Sequence, residues 1–281
     1  MKLGIVGNGY VGKAIYYGFK DNIPVATYDK YQDSTYESIE ELCNFAKIVF
    51  VCVPTPMDPD GSCNISIVES VVSEINEADN GNIAVIKSTV PPGTADYLNK
   101  KYTNIEVVFS PEFLTEANYL DDFHNVDRII LGGSPEATRE VKRVFKEAYP
   151  DKRYIQTDSK TAEMIKYVAN TFMATKVSYA NEIYDICRAS GVEYNEVIRY
   201  VTLDHRFGKS HWRVPGPDGK RGFGGSCFPK DISAFSRFIK DAGVNSTVLD
   251  AVWEKNLQVR PERDWEELVG RAISKKEKNN E

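Results

Sequence analysis

Along the first half of the chain, short apolar runs alternate with stretches in which apolar positions recur every three or four residues. The runs Lys2–Gly7, Val25–Asp29, Lys47–Pro54, Asn82–Thr89, Ile105–Pro111 and Arg128–Gly133 read as strands. They are nearly continuous in apolar character rather than alternating, as expected of a parallel sheet covered on both faces. Their alternation with helical patterns predicts a doubly wound α/β layer. Proline at 111 predicts that a helix opens directly after the fifth run, which would place Glu112 and Glu116 on one face. Beyond Thr157 the pattern changes. Lys160–Ser190 keeps helical spacing for about seven or eight turns at 3.6 residues per turn, without proline, and closes at Gly191. Asn195–Asp204, Lys230–Gly243 and a last stretch before the polar tail Lys275–Glu281 continue in helical mode. The expectation is an α/β domain over 1–157 and an all-helical domain over 158–281 built on one long central helix.

Composition narrows the function more than the fold. The 281 residues suffice for one large or two ordinary domains. They are 42% hydrophobic and 27% charged, with a net charge of -6, which argues against a general nucleic-acid binder. No apolar run approaches membrane-spanning length, so no membrane partner is expected. The chain opens on "MKLGIVGNGY" without a charged, cleavable leader, from which a cytoplasmic location is expected. The 5 cysteines, Cys43, Cys52, Cys63, Cys187 and Cys227, are odd in number and irregularly spaced, which suits reduced thiols. The 3 histidines are scattered and form no zinc pattern with them, so no metal is expected.

Between the first strand and the first helix stands Gly7-Asn8-Gly9-Tyr10-Val11-Gly12, a G-x-G-x-x-G. The first glycine makes a tight turn, the second lets a pyrophosphate approach, and the third allows close helix packing. Amides at the helix N-terminus would hold the phosphates. Asp29 ends the second strand, where a carboxylate accepts from the adenosine ribose hydroxyls and repels a 2′-phosphate. The sheet is therefore of the Rossmann type, and NAD is the expected cofactor.

A second motif is "GFGGSCFPKD", Gly222 to Asp231. Glycines let a ligand come close to the backbone, and a helix start with a lysine beside it stabilises a thiolate. An isolated cysteine is more often a small core residue, but these neighbours favour a nucleophile at Cys227. Three further clusters stand at strand ends or at helical spacing: Lys87 to Pro91, Ser110 to Glu116, and the pair Lys166 and Asn170. For the Glu112–Glu116 or the Lys166–Asn170 pair alone, a solvated surface is the favoured reading.

Together "GIVGNGYVG", "VCVPTP", "KSTVPPGT", "FSPEFLTE", "KYVANTFMATKVSYANE", "DHRFG" and "GFGGSCFPKD" resemble the UDP-glucose/GDP-mannose dehydrogenase family, and within it the members that oxidise UDP-glucose. The resemblance runs from Gly4 to Asp231 and covers the family's first two domains. It implies two successive NAD-dependent oxidations that take a nucleotide sugar's primary alcohol to the acid, with UDP-glucose to UDP-glucuronate favoured and GDP-mannose as an alternative. It also implies that Cys227 forms a thiohemiacetal and then a thioester. By the same resemblance, Lys166 and Asn170 stabilise oxyanions, and Asp231, Thr89, Glu112 and Glu116 position water and move protons. Pro54, Thr55, Thr89 and Glu116 would border the cofactor. Glu112, Phe113, Leu114, Thr115 and Glu116, with Lys166, Asn170, Arg206, Phe223 and Gly224, would contact the substrate. Arg206 would reach a partner's substrate across a homodimer built on the long helix.

Two departures from the family stand out. The stretch from Arg206 to Cys227 is longer and more basic than the family's substrate loop; Arg213, Lys220 and Arg221 suit phosphate contacts and a solvated turn equally. Family members also continue into a third, UDP-binding domain, short of which this sequence stops. A short natural form, one part of a split enzyme with a separate UDP-binding chain, a non-catalytic NAD-binding subunit, and a piece cut at a domain boundary all stay open at this point.

Overall fold

The computed structural model describes residues 1–275; the polar tail beyond Lys275 lies outside the described residues. The chain divides into two compact units, Met1–Thr55 with Asn64–Lys166, and Pro56–Cys63 with the chain from Tyr167 onward.

The first unit alternates strands and helices: β1 (Leu3–Val6), α1 (Tyr10–Phe19), β2 (Val25–Tyr28), α2 (Ile39–Phe45), β3 (Ile48–Val51), α3 (Ser66–Glu77), β4 (Ile83–Ile86), α4 (Thr94–Lys101), β5 (Glu106–Phe109), α5 (Tyr119–His124), β6 (Arg128–Gly132), α6 (Pro135–Ala148) and β7 (Arg153–Thr157). The strands form one sheet in the order β2-β1-β3-β4-β5-β6-β7. Val49, Val51, Ile86, Val107 and Phe109 fill a core on one face. Ile5, Phe50, Val85, Val108 and Leu131 fill a core on the other. Neighbouring residues alternate between the two cores, as the period of a strand requires, and both faces are dry. This is why the runs read as continuously apolar.

β1 to β5 are parallel. The sheet is not parallel throughout: β6 meets β5 antiparallel through Phe109 and Gly132, and β7 runs parallel to β6. β7 carries no continuous apolar run, because as an edge strand it is only half buried. The helix expected from Pro111 does not form. Residues 111–115 are extended loop, and α5 begins only at Tyr119. The carboxyl ends of β1, β3, β4 and β5 share one edge of the sheet, where an open α/β sheet binds its ligands.

The second unit is helical. α7 (Ser159–Ser190, 32 residues) starts in the first unit and supplies the spine of the second. It stops at Gly191, whose φ of 69° is left-handed, and Val192 N–H donates back to the Cys187 carbonyl at 2.9 Å. α8 (Tyr194–Val201), α9 (Phe228–Asp241) and α10 (Thr247–Val259) follow. Ala174, Phe223, Ile232 and Val252 form one core cluster here, and Ala180, Cys187, Tyr194, Trp212 and Val214 another. The segment Pro56–Cys63 joins this unit through backbone bonds from Met57 N–H to the Ala272 carbonyl and from Ser274 N–H to the Met57 carbonyl, both 2.8 Å.

Candidate active site

In the first unit the glycine loop leaves β1. Gly7 has a φ of 96°, and a Cβ there would lie 2.7 Å from the Cys52 carbonyl oxygen. Gly12 sits against the same turn, where a Cβ would come 2.0 Å from the Gly7 carbonyl oxygen. Gly9, the N-cap of α1, differs: nothing lies within 4 Å of its Cβ position. Two glycines are thus demanded by packing, while the middle one faces open space at a helix N-terminus whose first amides lack a side-chain cap. That cradle fits a pyrophosphate. Beside it Asp29 accepts from the N–H of Asn8 at 2.6 Å, Tyr31 at 2.8 Å and Gln32 at 3.0 Å, which pins the carboxylate next to the loop. Tyr10 stands edge-on to Tyr119, and Val11 packs on the core beneath.

The loops after β3 and β4 are tied together. Buried Thr55 donates its hydroxyl to the Thr89 carbonyl at 2.8 Å, and Ser88 donates to the Val53 carbonyl at 2.6 Å. Pro54, between them, is exposed. At the ends of β4 and β5 lies a dry ionic cluster. Lys87, 3% exposed, donates to Ser110 Oγ at 3.1 Å and the Pro111 carbonyl at 3.2 Å. Lys166 of α7 donates to Glu112 Oε1 at 2.9 Å and to the Glu112 carbonyl. The other oxygen, Glu112 Oε2, accepts from Leu114 N–H at 2.6 Å. Burial lowers the pKa of Lys87 to about 8, against the opposing pull of Cys52 and Glu112. Burial also pushes the Cys52 thiol up to about 12.

These contacts explain the missing helix. Glu112 turns inward to meet Lys166, and Thr115 is tied through its N–H to Asp122 Oδ2 at 2.7 Å. Glu112 is consequently buried while Glu116 is exposed, so the two do not share a face. Phe113 lies under two cations, with the Arg128 guanidinium 4.9 Å and the Lys166 ammonium 5.4 Å from its ring centre.

In the second unit Cys227 is half buried at the N-cap of α9, with Pro229 in the first turn and the Ser226 hydroxyl 3.9 Å from its sulfur. Asp231, 1% exposed, accepts from Asn170 Nδ2 at 2.6 Å and from Lys230 Nζ on its other oxygen. Burial works against the charge on Lys230, but Asp231, Cys227 and Cys63 outweigh it and raise its pKa above the ordinary lysine range. A helix N-terminus and a firmly charged lysine therefore flank the thiol.

Phe223 is 4% exposed in the core against Phe228 and Trp253, and both its backbone polar groups are bonded to Asn256. Of the basic loop residues, Arg221 pairs with Asp185 at 2.7 Å and Lys220 with Glu262 at 3.6 Å, while Arg213 is exposed. Exposed Arg206 pairs with Asp204.

The NAD binding domain of the UDP-glucose/GDP-mannose dehydrogenase family matches residues 25–149, and the family's central domain matches residues 160–258. A solved UDP-glucose dehydrogenase from Pyrobaculum islandicum superposes with a TM-score of 0.83 at 30% identity, covering 92% of this chain and 68% of its own. The chain belongs to the UDP-glucose/GDP-mannose dehydrogenase family. UDP-glucose 6-dehydrogenase of Rickettsia bellii is 37% identical over 224 residues, and TuaD of Bacillus subtilis, also a UDP-glucose 6-dehydrogenase, is 34% identical over 221. The chain spans about half the length of these curated relatives, 50% and 47%. The family match assigns NAD as the cofactor of the first unit. It begins at residue 25, so the fit of the glycine cradle rests on its own geometry. No described helix is long and apolar enough to cross a membrane.

The sequence patterns passed over Asn256, Arg260 and Asp264. Asn256 and Arg260 carry a usable signal, since two polar residues four apart on a buried helix face imply a specific partner.

Proposed function

We propose that this chain is the catalytic core of an NAD-dependent nucleotide-sugar dehydrogenase that oxidises UDP-glucose to UDP-glucuronate in two steps at one thiol. The observation that carries the reading is Cys227 at the start of α9, flanked by Lys230 and by the Asn170–Asp231 pair. Bound NAD supplies hydride acceptance in each oxidation. Between the two, the Cys227 thiolate adds to the C6 aldehyde, and the oxygen of the resulting thiohemiacetal takes a proton. Loss of hydride and proton from that adduct leaves a thioester, which water cleaves to the acid and the free thiol. Asn170 and Lys166, one turn apart on α7, offer donors for the oxyanions. Asp231, Glu112, Glu116 and Thr89 are the groups that hold water and carry protons, and residues 112–116 line the sugar site.

Pairing of two copies through α7 completes the reading. Val168, Phe172, Tyr179 and Ile186 are each about half exposed, and their spacing of four and seven residues puts them on one side of the helix. A soluble chain rarely leaves such a stripe uncovered. Arg206 would then serve the partner's substrate, and the reaction belongs to the cytoplasm, feeding polysaccharide synthesis.

The experiment is NADH production across UDP- and GDP-sugars. Two NADH per UDP-glucose are expected, with acid formation abolished in Cys227→Ser. One NADH with sustained release of free aldehyde would overturn the thioester route, and a preference for GDP-mannose would reassign the substrate. A second reading is an NAD-binding subunit that needs a separate UDP-binding chain; steady-state turnover by this chain alone excludes it.

A further inference from the structure

The glycine loop ahead of Cys227 rests on buried polar side chains from α10 and the turn after it. Asn256 is fully buried, and its amide closes both halves of one residue: Oδ1 accepts from Phe223 N–H at 2.7 Å, and Nδ2 donates to the Phe223 carbonyl at 2.9 Å. One turn on, Arg260 is 2% exposed. Its Nε donates to Asp264 Oδ1 at 2.6 Å, its Nη2 to Asp218 Oδ2 at 2.7 Å, and its Nη1 to the Arg221 carbonyl at 3.3 Å. The second oxygen, Asp264 Oδ2, accepts from Gly225 N–H at 3.1 Å. An unbroken line of contacts therefore runs from Asp218 through Arg260 and Asp264 to Gly225, two residues before the thiol.

The glycines record how closely the loop lies on this group. A Cβ at Gly222 would sit 2.4 Å from Asn256 Oδ1, and one at Gly224 would sit 2.4 Å from both Arg260 Nη2 and Asp264 Oδ1. Burial opposes the charge on Asp264, but Arg260 and the Gly225 N–H hold its pKa below the ordinary carboxylate range. A buried ion pair gives little net stability, because desolvation offsets the attraction. Here the Arg260 guanidinium joins Asp264, which holds the loop at Gly225, to Asp218 and Arg221 just ahead of the loop, so the pairing fixes loop geometry. Arg260 and Asp264 also lie beyond residue 258, where the family's central-domain match ends.

We propose that Asp264, oriented by Arg260, is a positioning residue for Cys227, anchoring the Gly222–Ser226 loop so that the sulfur is presented at a fixed place at the start of α9. The proposal rests on the reading of Cys227 as nucleophile. Attack on a carbonyl needs the sulfur aligned at near-contact distance, and a displacement of about 1 Å can cost on the order of 100-fold in rate.

The test measures iodoacetamide alkylation of Cys227 in the full chain, resolved by peptide mass from Cys63, which serves as an internal reference. The variants are Asp264→Asn, Arg260→Lys and the double variant, each checked for folding by circular dichroism. Release of the loop uncovers the half-buried thiol, so each single variant should raise the Cys227 rate by about fivefold or more while Cys63 stays within about twofold. The double variant should do no more than either single one, since Arg260 acts through Asp264. Turnover should fall by about tenfold or more with KM for NAD unchanged. If Arg260→Lys fails to fold, Asp218→Asn replaces it as the second single variant. A Cys227 rate within about twofold of the parent in folded Asp264→Asn, or effects that simply multiply in the double variant, would overturn the proposal. Alkylation is read without substrate, so the positioning role is decided by it even if the parent oxidises no nucleotide sugar, an outcome that would overturn the functional reading instead.

Discussion

Lys166 holds Glu112 at two points, the carboxylate Oε1 at 2.9 Å and the backbone carbonyl, with the two side chains only 4% and 8% exposed. Removing one partner of such a pair leaves a buried charge without compensation. Lys166→Met should therefore lose about 3–5 kcal/mol of unfolding free energy, and Lys166→Met with Glu112→Leu should recover most of it. Urea unfolding of the three proteins checks this. A single variant with the parent's midpoint would show that the pair is not isolated from water.

The roles of two loop glycines, Gly9 and Gly12, should separate cleanly. Gly12→Ala drives a Cβ into the Gly7 carbonyl and should cost about 1–3 kcal/mol of stability along with NAD binding. Gly9→Ala meets no protein atom and should unfold within about 0.5 kcal/mol of the parent, yet bind NAD at least about tenfold more weakly. Calorimetric titration and thermal unfolding read both. Equal NAD affinity in Gly9→Ala would remove the pyrophosphate from that cradle.

The buried carboxylate of Glu163 accepts from the N–H groups of Gly93 and Ala95 at the start of α4. Burial raises its pKa to about 7, the two N–H donors working in the opposite direction. A raised carboxylate pKa means that the folded state binds the extra proton. Its contribution is complete below pH ~4.5 and is lost as pH rises through about 7. The stability advantage of the parent over Glu163→Gln should thus shrink between pH 4.5 and pH 8 by on the order of 3 kcal/mol. A difference that does not vary with pH would contradict it.

The stripe on α7 predicts an assembly. Phe172→Glu, at a position 57% exposed in the single chain, should leave the fold intact and shift sedimentation from dimer to monomer. If both proteins sediment as monomers, the stripe has some other occupant.

The sequence carried those features whose cause is local. The glycine loop, the doubly covered strands and the 32-residue helix follow from spacing and periodicity alone. Where distant residues decide, the pattern misled. Proline at 111 signals a helix start, but Lys166, 54 residues away, draws Glu112 inward and unwinds that segment. The reversed direction of β6 leaves no trace in its apolar run, and half-buried β7 lacks the run altogether. Asn256, 33 residues on, ties Phe223 into the core, a link that no local pattern reveals.

Pro56–Cys63 interrupts the first unit in sequence while belonging to the second. The polypeptide therefore changes allegiance three times, at Thr55, Cys63 and Lys166. No single cleavage point yields two self-sufficient halves: a fragment ending near Thr157 would carry Met57 and Gly61 away from Ala272 and Ser233. Exchange of cofactor specificities between family members by splicing must for this reason move three junctions together.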